Sequence, residues 1–199
     1  MATHDLHGSA PTSSKVALIL IDVINAMDFP TGRLLVKHAY PAAKKIAALK
    51  RRAKAANVPT IYANDNYGRW RSDFRATLEN ASHPDKPGHE IALMLAPDEE
   101  DYFVLKPKHS AFYGSSLELL LDYVGSETLV LAGFAGDRCV RFTAQDAFLR
   151  DYEVIVPRDC VASEQARENR EALAYMRAHL DVQTPASSRI DFRALRKKR

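Results

Sequence analysis

Two hydrophobic rhythms alternate along this 199-residue chain. The first is a set of short, nearly unbroken apolar runs: 15–21 (KVALILI), 58–63 (VPTIYA), 102–105 (YFVL), 128–131 (TLVL) and 153–156 (EVIV). Runs of this length without polar alternation suit strands buried on both faces of a parallel sheet. The second rhythm returns every three or four residues and marks helices. Ile46, Leu49, Ala53 and Ala56 make one inward stripe, on a helix expected to begin near Pro41 because proline is tolerated in a first turn. Leu117, Leu120, Leu121 and Val124 make another. Val140, Thr143, Ala144, Ala147 and Phe148 share a face, with Arg141, Gln145, Asp146 and Arg150 opposite. Leu173, Met176 and Leu180 line a last helix, roughly 164–179, ahead of a short strand near Val182. Between 67 and 100 the pattern is broken by Gly68, Pro84, Pro87, Gly88 and Pro97, leaving short helical pieces around 72–80 and 90–95.

Strand followed by helix, repeated, predicts an α/β fold built on a parallel sheet with helices on both faces. There is no internal repeat and no composition shift that would mark a second domain. The reading is one domain over 15–189, a flexible polar N-terminal tail at 1–14, and a basic C-terminal tail at 190–199. With 46% hydrophobic and 27% charged residues the composition is that of an ordinary globular domain. The net charge is only +3, and the basic stretches at 44–54 and 196–199 carry no interleaved aromatics, so a nucleic-acid partner is not expected. No apolar run approaches a membrane span, and residues 1–14 lack the apolar core of a signal peptide. Two cysteines make no disulfide framework. A cytoplasmic setting, with free thiols, is the expectation.

Three reactive side chains stand where apolar runs end: Asp22 after the first, Lys106 after the third and Cys139 shortly after the fourth. Ligands of open α/β sheets bind outside the carboxyl ends of the strands, so all three should face one crevice. Cys139 falls in the first turn of a helix, where unpaired N–H groups and the positive end of the helix dipole are expected to favour a thiolate. A carboxylate can take the thiol proton, an ammonium can pair with both anions, and the sulfur can attack a carbonyl. The N–H of Cys139 and one from the preceding FAG turn could hold the oxyanion. Each residue also has a plainer reading: Asp22 as a strand terminus, Lys106 as a surface lysine with Lys108 as its competitor, Cys139 as a small core residue. Their joint placement favours acyl transfer.

The blocks KVALILIDVINAMDFP, VLKPKHSAFYGSSLELLL and LVLAGFAGDRCVRFTAQDAFLRDYEVIVPRDCVAS, in this order, resemble the signature blocks of the isochorismatase-like cysteine hydrolases, and the resemblance covers about 15–185. It implies a three-layer Rossmann-like fold with a six-stranded parallel sheet. It implies a catalytic triad of Asp22, Lys106 and Cys139, with Lys106 chosen over Lys108 by its spacing to the HSAF segment. It also implies a cis peptide at Phe134–Ala135, an oxyanion hole from the N–H groups of Ala135 and Cys139, and a homodimer or homotetramer. The sequence departs from the nicotinamidases of the family in ANDNYGRWRSDF, where Asp65 is present but Tyr67 replaces the metal-binding histidine. His83, Asp85 and His89 in HPDKPGH supply no set of four ligands. No metal and no cofactor is therefore expected. His109 lies close in sequence to Lys106 and is a candidate partner for the thiol, against a structural or substrate-contact role; Cys160 reads as packing. Met27 stands where the family commonly has an aromatic pocket wall.

The expected activity is hydrolysis of a C–N bond in a small amide, ureide or carbamoyl compound through a thioester. Asn25, Asn66, Trp70 and Phe112 are the candidate substrate contacts. Three alternatives remain open at this point: vinyl-ether hydrolysis of the isochorismate type with Asp22 as acid, a non-catalytic binding protein of the same fold, and a thiol peroxidase, which the Asp-Lys pairing supports least.

Overall fold

The computed structural model describes residues 13–67 and 73–197, and Trp70 lies outside them. Its frame is a sheet of six parallel strands: β1 (Val16–Ile21), β2 (Thr60–Asp65), β3 (Tyr102–Lys106), β4 (Thr128–Phe134), β5 (Glu153–Ile155) and β6 (Val161–Ala162). The order is β3-β2-β1-β4-β5, and β6 pairs with the carboxyl end of β4. The helices are α1 (Gly32–Lys54), α2 (Phe74–Ala81), α3 (His89–Met94), α4 (Leu117–Val124), α5 (Arg141–Phe148), α6 (Ala166–His179) and α7 (Phe192–Lys197).

The unbroken apolar runs follow from the two faces of this sheet. Alternate residues of a strand point to opposite sides. Val16, Leu18 and Leu20 of β1 join a core with Leu35, Ala39, Ala43, Ile46 and Leu49 of α1. Ala17, Ile19 and Ile21 join a second core with Leu117 and Leu121 of α4, Ala144 and Ala147 of α5 and Met176 of α6. Every residue of β1 must be apolar because helices cover both sides.

The structure differs from the sequence expectation at several boundaries. Helix α1 begins at Gly32 and carries Pro41 in its interior. The proline lies on the exposed face, where water can replace the hydrogen bond it cannot donate, so the apolar stripe continues through it. Phe148 of α5 is exposed rather than inward. Strand β4 runs three residues past its apolar run, to Phe134. Gly133 allows this: with φ +141° it lies so close to β1 that a Cβ there would sit 2.0 Å from the Ile21 carbonyl oxygen. The sixth strand is the two-residue β6, whereas the segment near Val182 contributes only a bridge between Gln183 and Ile155. A two-residue strand is too short to leave a period in the sequence.

Residues 190–197 are docked rather than trailing. Ile190 and Phe192 are buried, the Asp191 carboxylate caps α7 by accepting from the N–H groups of Arg193 and Ala194, and Arg52 donates to the carbonyls of Ser187 and Ile190. Arg196 donates to the Ala56 carbonyl at 2.8 Å. Two apolar side chains and these carbonyl contacts hold a segment that its charge made look like a tail.

Candidate active site

The carboxyl edge of the sheet carries the reactive groups. Asp22 leaves β1 with φ +53°, and its N–H donates to the Ala63 carbonyl of β2 at 2.9 Å. This sharp turn directs the carboxylate along the edge, where its Oδ1 accepts the Asp65 N–H at 2.7 Å. Lys106 is the last residue of β3, two strands from β1, and it pairs in register with Asp65 of β2. A lysine stem is long enough to cross the intervening strand. Its Nζ lies 2.9 Å from Asp22 Oδ2, 3.6 Å from Asp65 Oδ2 and 3.6 Å from Cys139 Sγ, and it donates to the Lys108 carbonyl at 3.2 Å. The structure thus brings Asp22, Lys106 and Cys139 together, with Lys106 at their centre. Lys108 supplies only that carbonyl to the group; its own residue is exposed.

Cys139 sits in a π-helical turn, Gly136–Val140, between β4 and α5. Ala135 turns the chain into it with φ +53° and ψ +63°. The described peptide bonds contain no cis bond, so Phe134–Ala135 is trans, contrary to expectation, and the left-handed Ala135 makes the change of direction. Thr143 secures the start of α5 from below: its Oγ1 donates to the Cys139 carbonyl at 2.7 Å and accepts the Ala111 N–H at 3.0 Å. That second contact also ties the 107–115 segment to the helix that follows Cys139. His109 on this segment places Nδ1 3.7 Å from Cys139 Sγ and its ring 5.6 Å from that of Phe142.

Lys106 is fully buried and Cys139 is 7% exposed. Burial alone would pull the ammonium pKa down, but Asp22, Cys139 and Asp65 outweigh it and hold Lys106 above the ordinary lysine value. Burial, then the charge of Asp22, push the Cys139 thiol up, and Lys106 offsets them only in part. The direction favours the protonated sulfur. Loss of water around the sulfur thus opposes the thiolate that a helix terminus was expected to favour. A base must therefore take the proton when the sulfur reacts.

A cavity of about 300 Å³ opens onto the sulfur. Phe29, Leu35 and Phe134 form its apolar wall, and Asn25, Thr31, Tyr67 and the Asp137–Arg138 pair supply polar surface. Of the candidate substrate contacts, Asn25 lines it while its Oδ1 accepts the Met27 N–H at 2.8 Å. Asn66 is buried with its N–H on the Lys106 carbonyl, and Phe112 packs in the core against Tyr152 and beneath the Arg150 guanidinium; neither lines this cavity. Met27 is wholly buried, and Phe29 provides the aromatic wall two residues later. Asp65, Arg138 and Glu164 enter the site without having been assigned to it by sequence, and His109, a candidate partner for the thiol, lines it as well. Asp65 had a usable signal, since it follows an apolar run as Asp22 does; Glu164 had none. His83 pairs with Asp85, and His89 Nδ1 lies 2.6 Å from the Ser82 carbonyl oxygen, so the two imidazoles are engaged separately. Among the described residues no three His, Cys, Asp or Glu side chains gather as a metal site.

Comparison with known proteins agrees with this architecture. The chain is 38% identical over 160 residues to the uncharacterized isochorismatase family protein YaaI of Bacillus subtilis, covering 80% of this chain and 87% of that protein. It is 28% identical over 155 residues to maleamate amidohydrolase of Pseudomonas putida, covering 74% and 72% of the two chains. Among solved structures, N-carbamoylsarcosine amidase from Thermoplasma acidophilum superposes with a TM-score of 0.71 at 29% identity, covering 89% of this chain and 99% of the other. Residues 16–187, which include the whole sheet and all three groups around Lys106, match the isochorismatase domain, and the chain belongs to the isochorismatase family.

Proposed function

We propose that this protein is a cysteine hydrolase that cleaves a C–N bond in a small amide, ureide or carbamoyl compound through a thioester on Cys139. The observation that carries the reading is the buried Lys106 ammonium, 2.9 Å from the Asp22 carboxylate and 3.6 Å from the Cys139 sulfur, beside an open cavity. An amidase and an amidohydrolase among the relatives support the choice of a C–N bond.

The chemistry follows from the placement. As the carbonyl carbon of a bound amide approaches, Asp22 accepts the thiol proton and the sulfur electron pair forms the C–S bond. Lys106 stays charged and compensates the anion as it passes from carboxylate to sulfur. Oxygen of the tetrahedral intermediate takes N–H donors from the turn, for which Cys139 and Ala135 are the candidates. The carbonyl reforms, the C–N bond breaks, and the proton on Asp22 goes to the departing nitrogen as ammonia or an amine. Water, deprotonated by Asp22, then attacks the thioester, and the proton returns to the thiolate as the acid leaves.

Ammonia release from a panel of small primary amides, ureides and carbamoyl compounds identifies the substrate. With it in hand, Cys139→Ala is expected to lower turnover by at least about 10³-fold with the thermal unfolding midpoint nearly unchanged. Mass spectrometry of acid-quenched enzyme should place the acyl adduct on the peptide containing Cys139. An adduct on Cys160, or an alanine variant that still turns over, refutes the assignment.

A further inference from the structure

The turn that carries Cys139 is held from outside the site by the segment entering α6. Ser163 is fully buried immediately after β6. Its Oγ accepts the Asp137 N–H at 3.1 Å and donates to Asn169 Oδ1 at 3.2 Å. Asn169, on the first turns of α6, donates through Nδ2 to the Val161 carbonyl at 3.3 Å, closing a loop of polar contacts that begins and ends beside β6. Gly136, the first residue of the turn, is shaped to this brace: a Cβ there would lie 2.2 Å from Asn169 Oδ1 and 3.4 Å from Ser163 Oγ. The next residue, Glu164, lines the cavity and places Oε1 3.7 Å from Arg138 Nη1, while Arg138 Nε lies 3.3 Å from Asp137 Oδ2.

We propose that Ser163, backed by Asn169, is a positioning residue for the Cys139 nucleophile, fixing the start of the π-helical turn so that the sulfur stays within reach of Lys106 and Asp22. The physical case is one of leverage. A π-helical turn is a wider, less favourable coil than an α-helical one and needs outside contacts to persist. Cys139 is three residues from Gly136, and the neighbouring turn residues Asp137 and Arg138 belong to the cavity wall, so a shift at the start of the turn moves both sulfur and wall. A displacement of about 1 Å at a reacting atom costs on the order of 100-fold in rate. The Ser163 hydroxyl meets the Asp137 N–H and Asn169 Oδ1 rather than Asp22, Lys106 or Cys139, so it acts through the backbone. A buried hydroxyl that satisfies one backbone donor and one side-chain acceptor also cannot be removed without leaving both unpaired.

The inference rests on the reading of Cys139 as the nucleophile, and its test does not require the substrate. Iodoacetamide, itself a small primary amide, serves as the probe; alkylation of Cys139 and Cys160 is followed by peptide mass spectrometry on the full chain at pH 8. Ser163→Ala and Asn169→Ala are each expected to slow alkylation of Cys139 by about 10- to 100-fold, because the sulfur loses its contact with Lys106. The double variant should be no slower than the single ones by more than about twofold, since both residues belong to one brace. Cys160 should stay protected in all of them. A merely structural role predicts the opposite sign, with loosening that exposes both thiols and speeds alkylation at each. That result, or a Cys139 rate within twofold of the parent in both single variants, overturns the proposal. Once a substrate is known, the variants should lose kcat with KM changed by less than about threefold. An unchanged kcat also overturns it. A Cys139→Ala protein that still turns over would instead sink the hydrolase reading itself, so the two failures are distinguishable.

Discussion

Among the described residues two lysines are buried among carboxylates, and they differ in what else stands beside them. Lys50, on α1, places Nζ 2.6 Å from Asp101 Oδ2 and 3.4 Å from Asp98 Oδ2, donates to the Ala96 carbonyl at 3.1 Å, and stands 5.3 Å from the centre of the Tyr62 ring. Lys106 has the same complement of two carboxylates and one carbonyl. Around Lys50 every polar contact serves to pin the 95–101 segment, and the Tyr62 hydroxyl adds another by donating to the Leu95 carbonyl. Around Lys106 the next neighbour is a thiol, and a cavity opens beside it. Burying an ammionium between acids is therefore not by itself a functional signal. What separates the two is a thiol within contact and an adjoining cavity with room for a small molecule.

The sharpest way to break this comparison is to remove each ammonium in turn. Lys106→Met should lower turnover by about 10³-fold, because the proton transfer between sulfur and carboxylate loses its compensating charge. A variant keeping a tenth of parental activity would reduce Lys106 to the structural rank of Lys50. Lys50→Met should instead leave kcat/KM within about twofold and destabilise the fold by roughly 2 kcal/mol in urea unfolding, since the largely shielded Asp101 carboxylate loses its ammonium and keeps only the Asp98 N–H. Activity lost in proportion to stability in both variants would erase the distinction.

Alkaline pH gives a smaller effect that sharpens the difference between the two cysteines as well. Burial first, then Asp159, push the Cys160 thiol up to about 12, and Cys139 is raised too. Both keep their protons in the folded chain at pH values where the unfolded thiols, at about 9, begin to lose theirs. The unfolded state then binds fewer protons, so stability falls with rising pH. The contribution is fully present below about pH 9 and declines from there as pH climbs toward the folded values. Lys106, also raised, adds to the decline above the ordinary lysine value of 10.5. Urea midpoints measured from pH 8 to 11 should drop, and Cys160→Ala should flatten part of the drop by an amount on the order of 1 kcal/mol at pH 10. A midpoint independent of pH across that range contradicts buried, protonated thiols.

Most of the strand and helix positions, and the three groups at the carboxyl edge, were legible because each depends on local pattern. An unbroken apolar run reports burial on both faces whatever covers them, and the residue that ends the run marks the edge where ligands bind. Asp65 could have been added by the same rule. Trp70 lies outside the described residues. Phe112 misled because an aromatic near a reactive lysine looks like a pocket residue, while packing turned its ring toward Tyr152. The helix terminus near Cys139 can be read from sequence, whereas the loss of water around the sulfur that opposes a thiolate cannot.

The sequence by itself determined the parallel α/β frame, the family blocks and the chemical identity of the acid, the amine and the sulfur. These follow from periodicity and residue type, which act over a few positions. Tertiary structure alone decided that Lys106 crosses β2 to reach Asp22, that β6 forms at Val161–Ala162 rather than near Val182, that residues 190–197 dock, and that Ser163 and Asn169 meet at the turn carrying Cys139. Each of these depends on distances between segments far apart in the chain, set by packing across the sheet, and no local pattern carries them.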